Sequence, residues 1–225
     1  MRATNCKKIA CNTFIFTFTL AMAFTPVFAS AGDGERTITL QEDVTKTELI
    51  RLNVPAGDVE IVGATGNSLT AVATAACQKE DQESCQQVLK EFGWSKKIGK
   101  FTQLDLSPSG VTRYENMSIK VKLGVPSDKK LEVNLSAGEL RIDGTSACLI
   151  AEVNAGDINI TLRESQVASI ELTAKVGDAR LVTSKGAIEG DRSMLVGSSL
   201  VWGKGTGTCH TKANVLAGAA KVTLK

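Results

Sequence analysis

From Leu131 to Lys225 a unit of about twenty residues recurs, each copy carrying a small or aliphatic residue, a glycine and a short alternating strand. The marker glycines are Gly138, Gly156, Gly177, Gly197 and Gly218, spaced by 18, 21, 20 and 21 residues. A unit of that length cannot bury its own apolar face, so copies must stack on one another. Before each glycine the apolar residues fall on alternate positions: Leu131, Val133, Leu135, Ala137; Leu149, Ala151, Val153, Ala155; Ile170, Leu172, Ala174, Val176. After it the phase flips, and Leu140, Ile142, Ile158, Ile160, Ala179 and Leu181 take the inward places. Period two means strands with one buried face, and glycine tolerates the backbone angles of a corner. The expected fold is therefore all-β: a single-chain β-solenoid of parallel stacked coils of about 20 residues with an aliphatic interior.

The remainder divides around this array. Residues 1–30 read as a signal peptide, with Arg2, Lys7 and Lys8 before an apolar run and small residues Ala29, Ser30 and Ala31 after it. No cysteine stands at the cleavage point, so no lipid anchor is expected, and the run is too short for a membrane span. Residues 35–130 read as an N-terminal β region with a helical insertion over 78–92, and residues 131–225 as the repeat array. In the insertion Cys85, Val88, Leu89 and Phe92 share one helical stripe. Segments 101–106 and 117–125 read as a hairpin feeding the stack.

Removing the leader changes the charge. Three of the 26 Lys and Arg and none of the 24 Asp and Glu lie in residues 1–30, leaving 23 cations against 24 anions. A near-neutral chain lacks the basic footprint of a nucleic-acid binder. The expected location is the periplasm or cell surface of a bacterium. Four cysteines remain, Cys77, Cys85, Cys148 and Cys209. Cys148 and Cys209 lie three repeats apart; stacked in sequence order they would be about 14 Å apart, beyond disulfide reach. The expected disulfide is Cys77 with Cys85.

Leu52-Asn53-Val54-Pro55-Ala56-Gly57-Asp58-Val59-Glu60-Ile61, then Lys122-Leu123-Gly124-Val125-Pro126, precede the later copies of Ala/Val-Gly-Asp followed by alternating apolar residues. This pattern, over residues 49–225, resembles the putative-adhesin family of bacterial domains. The resemblance implies a β-solenoid envelope protein and transfers no catalytic residue. The chain departs from the pattern in its cysteine-bearing helix and in Ser198 and Ala219, which replace the acid of earlier copies.

Little catalytic chemistry is written in the sequence. His210 is the one histidine and reads as a surface residue. Gly203-Lys204-Gly205-Thr206-Gly207 does not open a helix, so it reads as a coil corner rather than a phosphate cradle. Glu139, Asp157 and Asp178 share one offset and would form an outward row, which either stays hydrated or holds calcium. Val182, Leu195, Leu200, Trp202 and Leu216 are apolar at positions that are polar in earlier copies. Either they form an exposed patch, with Val182 before Trp202 in the stack, or a one-residue slip turns Leu200 and Trp202 inward. The expected function is a non-enzymatic exported envelope protein, an adhesin-like scaffold or binding module for protein or glycan, without cofactor. The alternatives are a carbohydrate-active β-helix enzyme and a partner that offers its last strand, Val222 to Lys225, for strand addition.

Overall fold

The computed structural model describes residues 34–78, 82–193 and 196–225. The expected signal segment 1–30 and Leu195 lie outside the described residues. The first region contains β1 (Glu35–Asp43), β2 (Leu49–Val54), β3 (Asp58–Ala64), β4 (Ser68–Cys77), α1 (Gln82–Glu91), β5 (Gly93–Lys97), β6 (Phe101–Ser107) and β7 (Met117–Pro126). The repeats supply β8 (Lys130–Asp143), β9 (Leu149–Leu162), β10 (Val167–Val176), β11 (Ala179–Thr183), β12 (Gly186–Glu189), β13 (Asp191–Ser193), β14 (Gly197–Trp202), β15 (Cys209–Ala217) and β16 (Ala220–Leu224). The fold is all-β with one α-helix among the described residues, and its strands join one mixed sheet.

Two runs of pairing share the long strands β8 and β9, which continue through their glycines. Residues before the glycine pair in the order β5, β6, β2, β8, β9, β15, β10, β14, β13. Residues after it pair as β1, β4, β7, β3, β8, β9, β16, β11, β12. The interior pairs are parallel, and antiparallel strands close both runs. The alternation read from the sequence holds residue by residue: Leu131, Val133, Leu135, Leu140, Ile142, Leu149, Ala151, Val153, Ile158 and Ile160 are all buried. It fails beside the corners, where Val176 is 52% exposed, Ala155 is exposed and Ala137 is only half-buried.

The strand order corrects the expectation of stacking in sequence order. β15 lies between β9 and β10, and β16 between β9 and β11, so the last copy is a middle rung. Cys148 and Cys209 are thereby brought to adjacent rungs with Cα atoms 4.5 Å apart, and they form a disulfide. The 14 Å separation fails because parallel pairing asks only for matching faces, and the fifth copy offers the same inward set, Ala213, Val215, Ala220 and Val222. Strand addition on Val222 to Lys225 is overturned as well, since β16 has a neighbour on each side. The chain reaches this slot through Gly203–Gly207, which crosses the start of β10. Gly205 and Gly207 donate their N–H groups to the carbonyls of Ala168 and Val167, and a Cβ at Gly205 would stand 1.8 Å from the Val167 oxygen.

A column of glycines records the true order. A Cβ on Gly138 would meet the Gly57 oxygen at 2.0 Å, one on Gly156 the Gly138 oxygen at 1.9 Å, one on Gly218 the Gly156 oxygen at 1.9 Å, and one on Gly177 the Gly218 oxygen at 1.9 Å. Each of the five has a φ between +122° and +137°, where L side chains are strained. Gly197 is not in this column, because β14 runs antiparallel to β10.

The one disulfide expected from the sequence, Cys77 with Cys85, also forms, and it ties α1 to the end of β4. The helix buries Cys85, Leu89 and Phe92 as its stripe predicts, and Arg36 donates to the carbonyls of Leu89 and Lys90 at its C-terminus, at 2.6 and 2.8 Å. By loop entropy the Cys148–Cys209 link, closing 61 residues, contributes about 4 kcal/mol, and Cys77–Cys85, closing 8, about 2.5 kcal/mol. Residues 101–106 and 117–125 are not a hairpin: β6 pairs with β2 and β5, and β7 with β3 and β4, so they enter different runs. β5 is the hairpin partner of β6.

Candidate functional site

On the outward side of the second run, register places side chains in rows. One row passes through Glu60, Arg141, Asn159, Lys221, Arg180 and Glu189 on successive strands. The row beside it holds Asp58, Glu139, Asp157, Ala219 and Asp178, so the acids expected to be consecutive are interrupted by Ala219. Glu139 is held by Arg141, whose Nε lies 2.7 Å from Oε1, and it accepts a hydrogen bond from Asn159 at 3.1 Å. That hydrogen bond and charge keep the Arg141 guanidinium above its ordinary pKa.

The alanine rung opens a cleft of about 440 Å³ between Asp157 and Asp178. Asp157 Oδ1 accepts from the Ala219 N–H at 2.8 Å. Across the gap Arg192 Nη2 donates to Asp178 Oδ1 at 3.0 Å, and Arg180 pairs with Glu189 at 3.1 Å. β12, paired with β11, brings in Glu189, and β13, paired with β14, brings in Arg192, so the cleft is closed by the two short strands that interrupt the repeat. The charges alternate within it, and Lys221 adds a cation on its floor. Such a surface suits a polar, hydroxyl-rich ligand better than an apolar one. No group of three or more His, Cys, Asp or Glu that could hold a metal ion occurs among the described residues.

The fold has a solved counterpart. A putative cell adhesion protein from Clostridium sporogenes ATCC 15579 superposes with a TM-score of 0.50 at 12% identity, over 85% of this chain and 100% of that one. Putative adhesins from Parabacteroides merdae ATCC 43184 and Bacteroides fragilis NCTC 9343 give TM-scores of 0.27 and 0.24, at 10% and 12% identity. They span 66% and 84% of this chain and 70% and 97% of theirs, and at those scores they carry no argument. No family model and no curated protein matches the chain. At 12% identity the Clostridium likeness is one of fold alone.

The apolar candidates separate. Leu200 and Trp202 are turned inward, because β14 returns antiparallel and sets Leu200 opposite Leu172 and Trp202 opposite Ile170. The expectation that Val182 precedes Trp202 is corrected by the same pairing: Val182 faces Ala187 and Thr223 in the other run. Leu216 is exposed, at 48%, near Val176 and Val196, which flank the Gly177 corner; Gly177 N–H donates to the Val196 carbonyl at 2.8 Å. Val196 escaped sequence reasoning because it sits before Gly197, a glycine outside the column. His210 is exposed, its Nδ1 2.7 Å from the Ser169 hydroxyl. Arg192 and Glu189 were also missed, since the repeat period says nothing about the short strands β12 and β13 inserted into it.

Two disulfides are the mark of a protein of an oxidising, extracytoplasmic compartment. Among the described residues no helix is long and apolar enough to cross a membrane.

Proposed function

We propose that this chain is an exported, non-enzymatic module of the bacterial envelope, a β-solenoid in build, which binds a protein or a glycan in the manner of an adhesin. The observation that carries the reading is the open cleft between the Asp157 and Asp178 rungs, continuous with polar rows that repeat along the strands. A ligand with repeating hydroxyl groups could register on such rows, with arginine and carboxylate pairs reading each unit. The Clostridium fold counterpart, named a putative cell adhesion protein, supports the same class. The disulfides support export, and the apolar leader-like segment 1–30 agrees with them.

The test is binding of the purified protein to envelope glycans and to crosslinked envelope proteins. Asp178→Ala and Arg192→Ala are expected to weaken binding at least tenfold while leaving melting within a degree or two, because both side chains are exposed. Full binding by both variants would remove the cleft from the proposal.

One observation favours a carbohydrate-active enzyme as the second reading. Asp157 and Asp178 stand two rungs apart, about 10 Å between Cα atoms, near the carboxyl separation of inverting glycosidases. Turnover on a polysaccharide panel that disappears in Asp157→Ala and Asp178→Ala would reverse the ranking.

A further inference from the structure

We propose that the tip of the β5–β6 hairpin docks this protein on an anionic lipid bilayer. Two large apolar side chains stand in solvent there, Phe101 at 64% exposure and Ile98 at 43%. β6 carries Phe101 on its outward side, beside Leu49 of β2, which in turn lies beside the exposed Lys130 of β8. Lys97 ends β5, and Lys46 precedes the Thr47 that holds the tip. Lys46, Lys97 and Lys130 are exposed and form no ion pair among the described residues. Lys100 does pair with Glu48, at 3.3 Å in full solvent, which cancels its charge locally. The tip therefore combines an aromatic, an aliphatic and three lysines outside any salt bridge, of which Lys46 has Asp43 within Coulombic reach, in a chain that is otherwise near neutral.

The tip is also held in shape. Thr47 donates its hydroxyl to the Gly99 carbonyl at 2.8 Å and meets the Thr102 hydroxyl at 2.7 Å, with both threonines buried. Glu48 N–H donates to the Lys100 carbonyl at 2.9 Å. A preformed tip loses little conformational entropy on docking. An exposed Phe and Ile can enter the boundary between headgroups and acyl chains, while lysine stems reach back to the phosphates. A soluble acidic partner would use the cations but give no reason for the apolar pair to stand clear of the sheet; the bilayer surface uses both. β5 ends one pairing run, whereas β12 and β13 end the two runs at the opposite end, so docking here leaves the Asp157–Asp178 cleft several strands away from the lipid.

Cosedimentation of the purified protein with vesicles of phosphatidylethanolamine and phosphatidylglycerol tests the proposal, against phosphatidylcholine vesicles as the neutral surface. Binding is expected to the anionic vesicles and to weaken as salt rises. Lys97→Ala should cost about fivefold in affinity, and Phe101→Ala about tenfold. Val201→Ala, 81% exposed on β14 at the far end, should cost nothing. Phe101→Trp should blue-shift its emission when anionic vesicles are added. Equal binding to neutral vesicles, no loss in Lys97→Ala, an unshifted Phe101→Trp emission, or binding to a soluble polyanion without binding to vesicles would each overturn the proposal.

Discussion

The rungs built by β8 and β9 and the rungs built after residue 163 use the same inward pattern, yet they assemble differently. β8 and β9 are consecutive in sequence and in space, in register from Leu131 opposite Leu149 to Asp143 opposite Thr161. The later half is interleaved: β10 and β11 are laid down one rung too far, β14 doubles back on β10, and β15 and β16 fill the vacancy. A periodic sequence thus specifies the unit and its corner but leaves the order of units to whatever else joins them. Here three features do so: the Cys148–Cys209 disulfide, the glycine crossover at Gly203–Gly207 and the glycine column.

The comparison breaks most visibly by truncation. In a sequentially stacked array, losing the last copy removes an end rung and leaves the others in place. In this chain, stopping at residue 208 removes the rung that β9, β10 and β11 all pair with, together with the buried Ala213, Val215, Val222 and Leu224. The truncated protein is expected to lose its cooperative melting transition and to become protease-sensitive from residue 163 onward. A truncated chain that melts only a few degrees lower would show that β10 can settle on β9 directly, and the interleaving would then be one of two accessible packings.

The contrast also explains what could be read in advance. Inward residues such as Leu140, Ile158 and Leu181 were legible because alternation and the flip at glycine are local properties of the chain. Strand order was not, because Ala213 and Val215 fit beside Val153 as well as Ile170 and Leu172 do. Two signals of the interleaving were nevertheless present. Leu200 and Trp202 have the wrong parity for a parallel copy and the right one for an antiparallel return, and Ala219 lacks the acid that its rung would otherwise press between Asp157 and Asp178. Of the site, Asp157 and Asp178 were visible as members of a row, whereas Arg192 and Glu189 come from two short strands, β13 and β12, outside the period.

The glycine column can be probed one residue at a time. Gly156→Ala places a Cβ 1.9 Å from the Gly138 oxygen at a φ of +131°, and it should cost about 3 kcal/mol or more, since backbone strain and a clash with a neighbouring rung add. Gly186→Ala has a similar φ of +127° but nothing within 4 Å, so it carries strain alone, about 1 kcal/mol. Chemical denaturation would measure both. Equal losses would mean that the column is held by conformation rather than by close approach of the rungs, and it would cease to be evidence for their order.

The smallest effect is expected at the rung where the acid is missing. Asp58, Glu139 and Asp157 follow one another, and Ala219 then separates Asp157 from Asp178 while giving its N–H to Asp157. Ala219→Asp would place a carboxylate between two others at rung spacing in open solvent, a repulsion of about 1 kcal/mol. For a chain of this size that lowers melting by about 3 °C, and the deficit should shrink in 0.5 M salt as screening shortens the reach of the charges. Millimolar calcium should restore the variant and leave the unsubstituted protein unmoved, because in the native run of Asp58, Glu139 and Asp157 the middle carboxylate is already held by Arg141 and Asn159, whereas the added one would crowd Asp157 and Asp178. A calcium-dependent rise in the unsubstituted protein would mean that the existing row binds the ion despite its alanine. A variant indifferent to salt would show that the interleaved rung has no electrostatic reason to be neutral, leaving the disulfide and the glycines to set the order.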